Sequence, residues 1–478
     1  MLVREIRRLI LVIAPLFLLF YAGLHWLGNR PSLLSSYHHA GIWLERVFFR
    51  NGLVKHHEKS VLADQEVLQS SSSSHSRLEV LPTDDDNGNY GSSHVVLFSA
   101  WTLDKRYFQL KFGDKLGINP NIIPHPLLEN TWIIVAQQHD PEDTTHMHFV
   151  ELACDAAFDE INSELRCLFP PVQLPISPTG LGKCEGELEY ANMNVGPHDA
   201  RVFYGPRTPF TVYGSNSQET CFGQWIQDLQ VLMNWGNGPG LDLGDTSARE
   251  LVKEQETFFQ QGTELHRPPP YFPIEKNWFI FWDPGGQMYA HYDVFPRRVF
   301  AKLGADGSAG PDLAPEAALA GDQMCMNKYM PKLGPEHESI HQATNSLSVT
   351  LCRRSDPSCS PTDANTFLFT IFQHKTFYGF HGVYEPYVVV FRRRAPFQVY
   401  GISRKPLWIY GRARRSQMLY VTSVSWKAHD RKYHGYLDDV LFLGFGIEDQ
   451  DAAAIDVLAS DLLVGLGLCE EVHGSSWF

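Results

Sequence analysis

The stretch Gly196-Pro197-His198-Asp199-Ala200-Arg201-Val202-Phe203 sets an imidazole, a carboxyl group and a guanidinium at the mouth of a strand-forming run. Gly-Pro is a turn signal, Val202-Phe203-Tyr204 has strand composition, and two-residue alternation puts Asp199 and Arg201 on one side. A carboxylate held beside a guanidinium at a strand entrance suits acid/base work. Surface turns of every kind also use Asp and Arg, so the stretch gains meaning only alongside the segments downstream of it.

Four further segments carry polar residues at strand ends. Glu275-Lys276-Asn277 opens the apolar run Trp278-Phe279-Ile280-Phe281-Trp282, and Tyr289-Ala290-His291-Tyr292 returns after Gly285-Gly286. His341-Gln342-Ala343-Thr344-Asn345 stands directly before Ser346-Leu347-Ser348-Val349, and Phe372-Gln373-His374-Lys375 closes a strand pattern. Leu437-Asp438-Asp439 leads into the apolar run Val440–Ile447 and then Glu448-Asp449-Gln450-Asp451. Taken singly, each has a plain structural explanation: a solvated pair at Glu275 and Lys276, a core histidine at His374, a turn at Asp438-Asp439. Their recurrence is the informative feature. In a propeller, strand ends converge on a central channel, where a sugar could be held.

The elements that must position these residues are short strands separated by Pro/Gly/Asp turns from Val95 onward. Candidates are Thr131–Gln137, His148–Leu152, Phe210–Tyr213, Trp278–Trp282, Met288–Tyr292, Leu347–Cys352, Phe367–His374, Pro386–Phe391, Val399–Ile402, Met418–Trp426 and Val440–Phe445. Strands in succession, rather than alternating with helices, predict an all-β sandwich, barrel or propeller. Three stretches read as helical: Gln224–Trp235 and Ser247–Gln261, both amphipathic, and the apolar Ala452–Leu466. Gly304–Gly321 reads as an exposed loop. No strict repeat allows blades to be counted.

Upstream of this body, Arg4, Arg7 and Arg8 precede Leu9–Leu27, which contains no charged residue. At about 1.5 Å per residue this run reaches about 28 Å, close to a bilayer's hydrocarbon core. The arginines place the N-terminus in the cytosol and the rest of the chain in the lumen. A cleaved signal peptide is the rival reading, but no small-x-small site stands at a suitable distance, and His25-Trp26 resembles an interfacial anchor. The expected organisation is a cytosolic tail (1–8), a transmembrane signal anchor (9–27), a disordered stem (28–93) and a catalytic domain (94–478). The Ser70–Ser74 run, Asp84-Asp85-Asp86 and Asn87-Gly88-Asn89 give the stem a composition that cannot pack a core.

The chain has 478 residues, 44% of them hydrophobic and 13% aromatic, which is globular; its formal charge of -14 excludes diffuse electrostatic binding to nucleic acid or anionic membrane. Its eight cysteines are Cys154, Cys167, Cys184, Cys221, Cys325, Cys352, Cys359 and Cys469, with no C-x-x-C pair of the zinc type. An even number fits a disulfide set in an oxidising compartment, with Cys352 and Cys359 the one pair close enough to suggest a local bridge; free, buried cysteines are the alternative.

In this order the segments resemble the fungal β-1,2-mannosyltransferase family and its distant relatives, the β-mannoside phosphorylases. Gly196–Val202 is similar to the family's Gly-x-Glu-Asp-Pro-Arg-Val, with His198 in place of Glu and Ala200 in place of Pro. Glu275-Lys276-Asn277-Trp278 matches its Glu-Lys-Asn-Trp motif intact, succeeded by an aromatic strand and a Tyr-x-x-x-Pro-like return at Tyr292–Pro296. Ala343-Thr344-Asn345-Ser346-Leu347 resembles a Gly-Ala/Gly-Thr-Pro-hydrophobic motif, with Asn345 in place of Pro. Phe372–Lys375, Tyr384–Phe391, Ala395-Pro396-Phe397 and the run after Asp438-Asp439 resemble later family segments. The likeness covers about residues 95–470.

This resemblance implies a five-bladed β-propeller with a few helical insertions and a site in its central funnel. It implies that Asp199 is the proton-transferring group, and that Arg201, Glu275, Lys276, Asn277, Arg298, Thr344, Asn345, His374 and Asp439 bind substrate. The expected activity is a Golgi-type, type II membrane-anchored inverting glycosyltransferase. It would move mannose from GDP-mannose, in β-linkage, onto a cell-wall, glycoprotein or glycolipid mannan. A leaving phosphate needs positive charge, for which Arg201, Lys276, His374 and Arg298 are candidates; no metal, no cofactor and no nucleic-acid partner is expected. Asp449-x-Asp451 superficially fits the metal-binding Asp-x-Asp of nucleotide-sugar enzymes. That element belongs to an alternating α/β fold, and here it reads as a loop before a final helix. A phosphorylase or hydrolase on the same scaffold, and a non-catalytic glycan-binding propeller, are the alternatives; anchor and stem speak for a transferase, and retention of Asp199 and Glu275–Asn277 for an enzyme.

Overall fold

The computed structural model describes residues 91–473, apart from 92, 143–146, 181, 234–257, 335–336 and 379–380. The Leu9–Leu27 span, nearly all of the 28–93 stem and most of the 247–261 helical pattern lie outside the described residues; residues 258–261 are not helical. Among the described residues no helix is long and apolar enough to cross a membrane.

The described chain is mostly β, in antiparallel meanders that keep to sequence order. After β1 (Val95–Leu97) and β2 (Phe108–Lys111) come β3 (Leu116–Pro124), β4 (Trp132–His139), β5 (Glu151–Asp159) and β6 (Glu164–Cys167), each antiparallel to the next, with β7 (Val172–Gln173) beside β5. A second meander contains β8 (His198–Tyr204), β9 (Pro209–Asn216), β10 (Phe222–Asp228) and β11 (Thr263–Glu264). A third contains β12 (Phe279–Trp282), β13 (Met288–Asp293) and β14 (Val299–Lys302). In the fourth, β15 (Glu338–Gln342) and β16 (Leu347–Thr350) both pair with β17 (Thr366–Tyr378), and β18 (His381–Arg392) and β19 (Val399–Ser403) come next. The chain continues through β20 (Leu407–Ile409), parallel to β1, to β21 (Leu419–Trp426), β22 (His434–Tyr436), β23 (Val440–Ile447) and β24 (Asp451–Leu458). β25 (Leu466–Leu468) lies on β19. β2 pairs with β24 on one edge and β6 on the other, joining the last meander to the first.

The expected strands are present, most with longer ends, except that His148–Leu152 is strand only from Glu151, where β5 begins. β17, for instance, runs on past His374 to Tyr378. Two expected helices are corrected. Among its described residues, Gln224–Trp235 holds most of β10 and only a short helix, α1 (Leu229–Leu232), started by the Asp228 carboxyl accepting from Gln230 N. Ala452–Leu466 holds most of β24 and only a single helical turn, Ala459–Leu462. Both strands are buried along nearly their whole length, so neither shows the alternation of a half-exposed strand, and a fully buried run reads equally as helix. The 304–321 loop contains helix α2 (Ala314–Leu319), with α3 (Asp322–Tyr329) directly after it.

All eight cysteines are paired, as Cys154–Cys167, Cys184–Cys221, Cys325–Cys469 and Cys352–Cys359, which overturns the free-thiol alternative. Asp449 does not precede a helix. Glu448 and Asp449 take φ of 53° and 51°, and Gln450 N donates to Ile447 O at 3.0 Å, making a tight hairpin between β23 and β24.

The core between the first two meanders is built by Ile133, Val135 and Ala153 against Val202, Tyr204, Tyr213 and Trp225. This contact packs β8 against β4 and β5.

Candidate functional site

Gly196 approaches Phe149 so closely that a Cβ there would lie 2.1 Å from the Phe149 carbonyl oxygen, and its φ is 99°; only glycine fits. The chain then enters β8 through a bulge. His198 pairs with Gly214 and Arg201 with Val212, so Asp199 and Ala200 together face one residue of β9. Asp199 has φ of 50°, the left-handed region that Asp tolerates better than most residues. The bulge breaks the alternation expected of Asp199 and Arg201. Instead of facing the Asp199 carboxylate as a strand neighbour, Arg201 Nη1 donates to the carbonyls of Asp199 (3.0 Å) and Ala200 (3.4 Å).

Two amides that the bulge takes out of register with β9 meet side chains of the first meander. Asp199 N donates to Gln137 Oε1 at 2.9 Å, and Ala200 N to Glu151 Oε1 at 3.0 Å. Gln137 and Glu151 are register partners on β4 and β5. From β3, Asn121 bridges Ala200 O (2.7 Å) and Val202 N (3.1 Å), and Asn119 Nδ2 donates to Asp199 Oδ1 at 2.6 Å. β3 comes this close to β23 because position 444 is glycine: a Cβ there would sit 2.8 Å from Pro120 O.

Glu151 is wholly buried, and its Oε2 has no hydrogen-bond partner among the described residues. Burial pushes its carboxyl up to about 8; the Ala200 amide and Arg201 pull down, and Asp199 pushes up. It therefore carries a proton at neutral pH. His198 is buried with its ring against Phe149, centroids 3.6 Å apart. Burial lowers it to about 4, with Asp199 raising and Lys276 lowering, so it is neutral at pH 7. Asp199 itself is half-buried. The arrangement is a half-buried aspartate on a fixed backbone, with a neutral acid on the Ala200 amide, a neutral imidazole at the preceding residue, Arg201 on its carbonyl and Lys276 within electrostatic reach of His198. Such a group can accept a proton from a bound hydroxyl.

The other expected residues divide sharply. Arg201 is buried, and among the described residues its hydrogen bonds use Nη1 alone. Lys276 is half-buried and close enough to His198 to act on it electrostatically; Asn277 beside it has φ of 62°. Glu275 is buried, accepting from Arg267 Nη1 (3.2 Å) and Phe272 N (2.8 Å), and burial raises its carboxyl. With Arg267, Trp278, Glu264 and Tyr271 it lines a cavity of about 230 Å³.

Four of the expected residues meet partners in the core or in a loop. Arg298 is buried, its Nη1 donating to Asp322 Oδ2 (2.9 Å) and Phe397 O (2.6 Å), with the rings of Phe300 and Phe391 beside it. Asn345 has both ends of its amide on Val424, donating to its O (3.0 Å) and accepting from its N (3.2 Å). Thr344 is fully buried and accepts from Ile371 N at 3.1 Å. Asp439 accepts from Arg354 Nη2 (2.6 Å) and Tyr436 N (2.8 Å), which fixes a loop. His374 is half-buried in the middle of β17 and meets Glu338 at 2.9 Å. Among the described residues no cluster of three or more His, Cys, Asp or Glu side chains is placed to hold a metal ion.

Sequence reasoning missed Asn119, Asn121, Gln137 and Glu151. The available signal was polarity inside an apolar run: Ile118-Asn119-Pro120-Asn121-Ile122-Ile123 interrupts a buried strand twice.

No protein-family model and no curated protein sequence matches this chain. Among solved structures, it is similar to the β-1,2-mannobiose phosphorylase of Listeria innocua, at 10% identity over 77% of this chain and 96% of that one, with a TM-score of 0.40. It is also similar to a GDP-Man-dependent mannosyltransferase of Leishmania mexicana, at 10% identity over 74% and 89%, with a TM-score of 0.38. A putative glycoside hydrolase of Bacteroides ovatus gives 10% identity over 77% and 94%, with a TM-score of 0.40.

Proposed function

We propose that this chain is an inverting glycosyltransferase that moves mannose from GDP-mannose, in β-linkage, onto a mannan-type glycan. In this reading the meanders are the blades of a five-bladed propeller, and Asp199 takes the proton of the attacking hydroxyl. The acceptor oxygen bonds to the anomeric carbon as the bond to phosphate breaks, the nucleotide diphosphate leaves with the electron pair, and the proton passes to Asp199. Arg201 and Lys276 supply positive charge for the leaving group; they are preferred to Arg298, whose Nη1 is engaged by Asp322 and Phe397.

The observation that carries the reading is the Asp199 environment. A left-handed, half-buried aspartate at a strand entrance is fixed, with the residue after it, by side chains from three other strands. Backbone held in a sparsely populated region is typical of functional positions. Lumenal placement, in the Golgi behind the Leu9–Leu27 anchor, is supported by the pairing of all eight cysteines, which suits an oxidising compartment.

The test is an assay of the full-length chain in detergent against sugar nucleotides with manno-oligosaccharide acceptors, with and without EDTA. A parallel arm supplies mannobiose and inorganic phosphate. Turnover of GDP-mannose to a β-linked product, unaffected by EDTA, is expected. An α-linked product or loss of activity in EDTA overturns the mechanism, and turnover only in the phosphate arm makes the protein a phosphorylase. Glycan binding without turnover in either arm leaves it a lectin-like propeller. In sealed microsomes a C-terminal tag is expected to resist protease until detergent is added.

A further inference from the structure

A β-bulge takes amides out of the ladder, and a buried amide left unpaired loses its water without a replacement partner. At the entrance of β8 these amides belong to Asp199 and Ala200, and both are satisfied by one cross-strand pair of another meander. We propose that Gln137 and Glu151 are positioning residues that hold Asp199 in its left-handed conformation by accepting the Asp199 and Ala200 amides. The proposal rests on the reading of Asp199 as the proton acceptor.

The register makes the two acceptors a unit. Gln137 and Glu151 stand opposite each other, so their side chains leave the sheet on the same face and reach consecutive amides. Asn121 holds the far side of the same two-residue step by bridging Ala200 O and Val202 N. Relaxation of Asp199 to an ordinary extended conformation would detach its amide from Gln137 and swing its carboxyl away from Asn119. A glutamate serves as the second acceptor because burial keeps it protonated. The groups facing it, Asp199 and Arg201 from β8, then meet an uncharged neighbour, and no second negative charge is forced against Asp199.

The experiment uses three variants of the full-length chain. Gln137→Met and Glu151→Met remove the acceptors at similar length; Glu151→Gln keeps one. Each is measured for kcat and KM in the transferase assay, for thermal melting, and for amide exchange across residues 197–203. Gln137 is half-buried, so Gln137→Met is the variant least exposed to misfolding. A displacement of about 1 Å at a catalytic group costs about 10²-fold in rate. Both Met variants are expected to lose about that factor in kcat with KM little changed, and to speed exchange at Asp199 or Ala200; Glu151→Gln is expected to recover most of the turnover lost in Glu151→Met. Wild-type kcat and exchange in a folded Gln137→Met overturns the proposal. So does equal loss in Glu151→Met and Glu151→Gln, which would make the Glu151 carboxyl itself chemical. Should the wild type turn over no substrate, the proposed function fails, while the exchange rates still decide whether the two side chains hold the Asp199 backbone.

Discussion

Glu151 and Asp456 are both wholly buried carboxyl groups, and their surroundings are opposite. Asp456 Oδ1 accepts from Ser99 Oγ (2.5 Å) and Trp101 N (3.2 Å), while Oδ2 accepts from Lys427 Nζ at 2.8 Å. The same Lys427 ammonium lies 3.6 Å from the Trp101 ring centroid. Each oxygen of Asp456 is answered, and the contacts tie the segment after β1 to the last meander. Among the described residues, Glu151 has one backbone donor on one oxygen and none on the other. A buried carboxylate persists when a cation and hydrogen bonds replace its water; lacking them, it stays protonated. The first arrangement closes a fold, and the second places a neutral acid behind an ionisable aspartate.

The largest effect is expected from removing the charge that Glu151 faces. Asp199→Asn is nearly isosteric and is expected to cut turnover by about 10²–10⁴-fold with the melting temperature little changed, measured as initial rate against donor concentration beside thermal melts. Wild-type turnover in the folded variant would move the base elsewhere. Because Asp199 helps raise Glu151, the same variant is expected to lower the Glu151 pKa.

Next is the compensated partner. Lys427→Met leaves Asp456 buried beside no cation, and breaking such a pair costs about 3–5 kcal/mol. Urea unfolding is expected to show a loss of this order, with transferase activity retained at low temperature. A loss well under about 1 kcal/mol would erase the contrast between the two carboxyls.

The sharpest test tracks stability with pH. Glu151 is raised in the folded state from 4.5 to about 8. Its contribution is complete below about 4.5 and is lost as pH rises towards 8, because in that window the folded state binds more protons than the unfolded one. Across that range the wild type is expected to lose more stability than Glu151→Gln. Parallel melting curves for the two proteins would show that Glu151 titrates normally.

Much of the fold was legible because it is local. Short apolar runs between Pro, Gly and Asp turns marked most of the strands, and the spacing of Cys352 and Cys359 suggested their bridge. The position of Asp199 was legible for the same reason: Gly196-Pro197 announces the turn and Val202-Phe203 the strand. Where both faces of a strand are buried, as in β10 and β24, the alternation that distinguishes strand from helix is absent, and a helical reading fits those segments equally well.

Only the tertiary structure decided which polar residues surround Asp199 and which hold the core. Asn345 and Arg298 lie in segments as suggestive as Asp199's, yet Val424 occupies the first and Asp322 with Phe397 the second. Glu151, Gln137 and Asn119 carry no local mark of the partners they meet. Those partners, at Ala200 and Asp199, stand 49, 62 and 80 residues away in the chain. A residue's type and its neighbours report the periodicity of its own strand. What its side chain meets is set by register between strands and by packing between meanders, through contacts that no window of sequence contains.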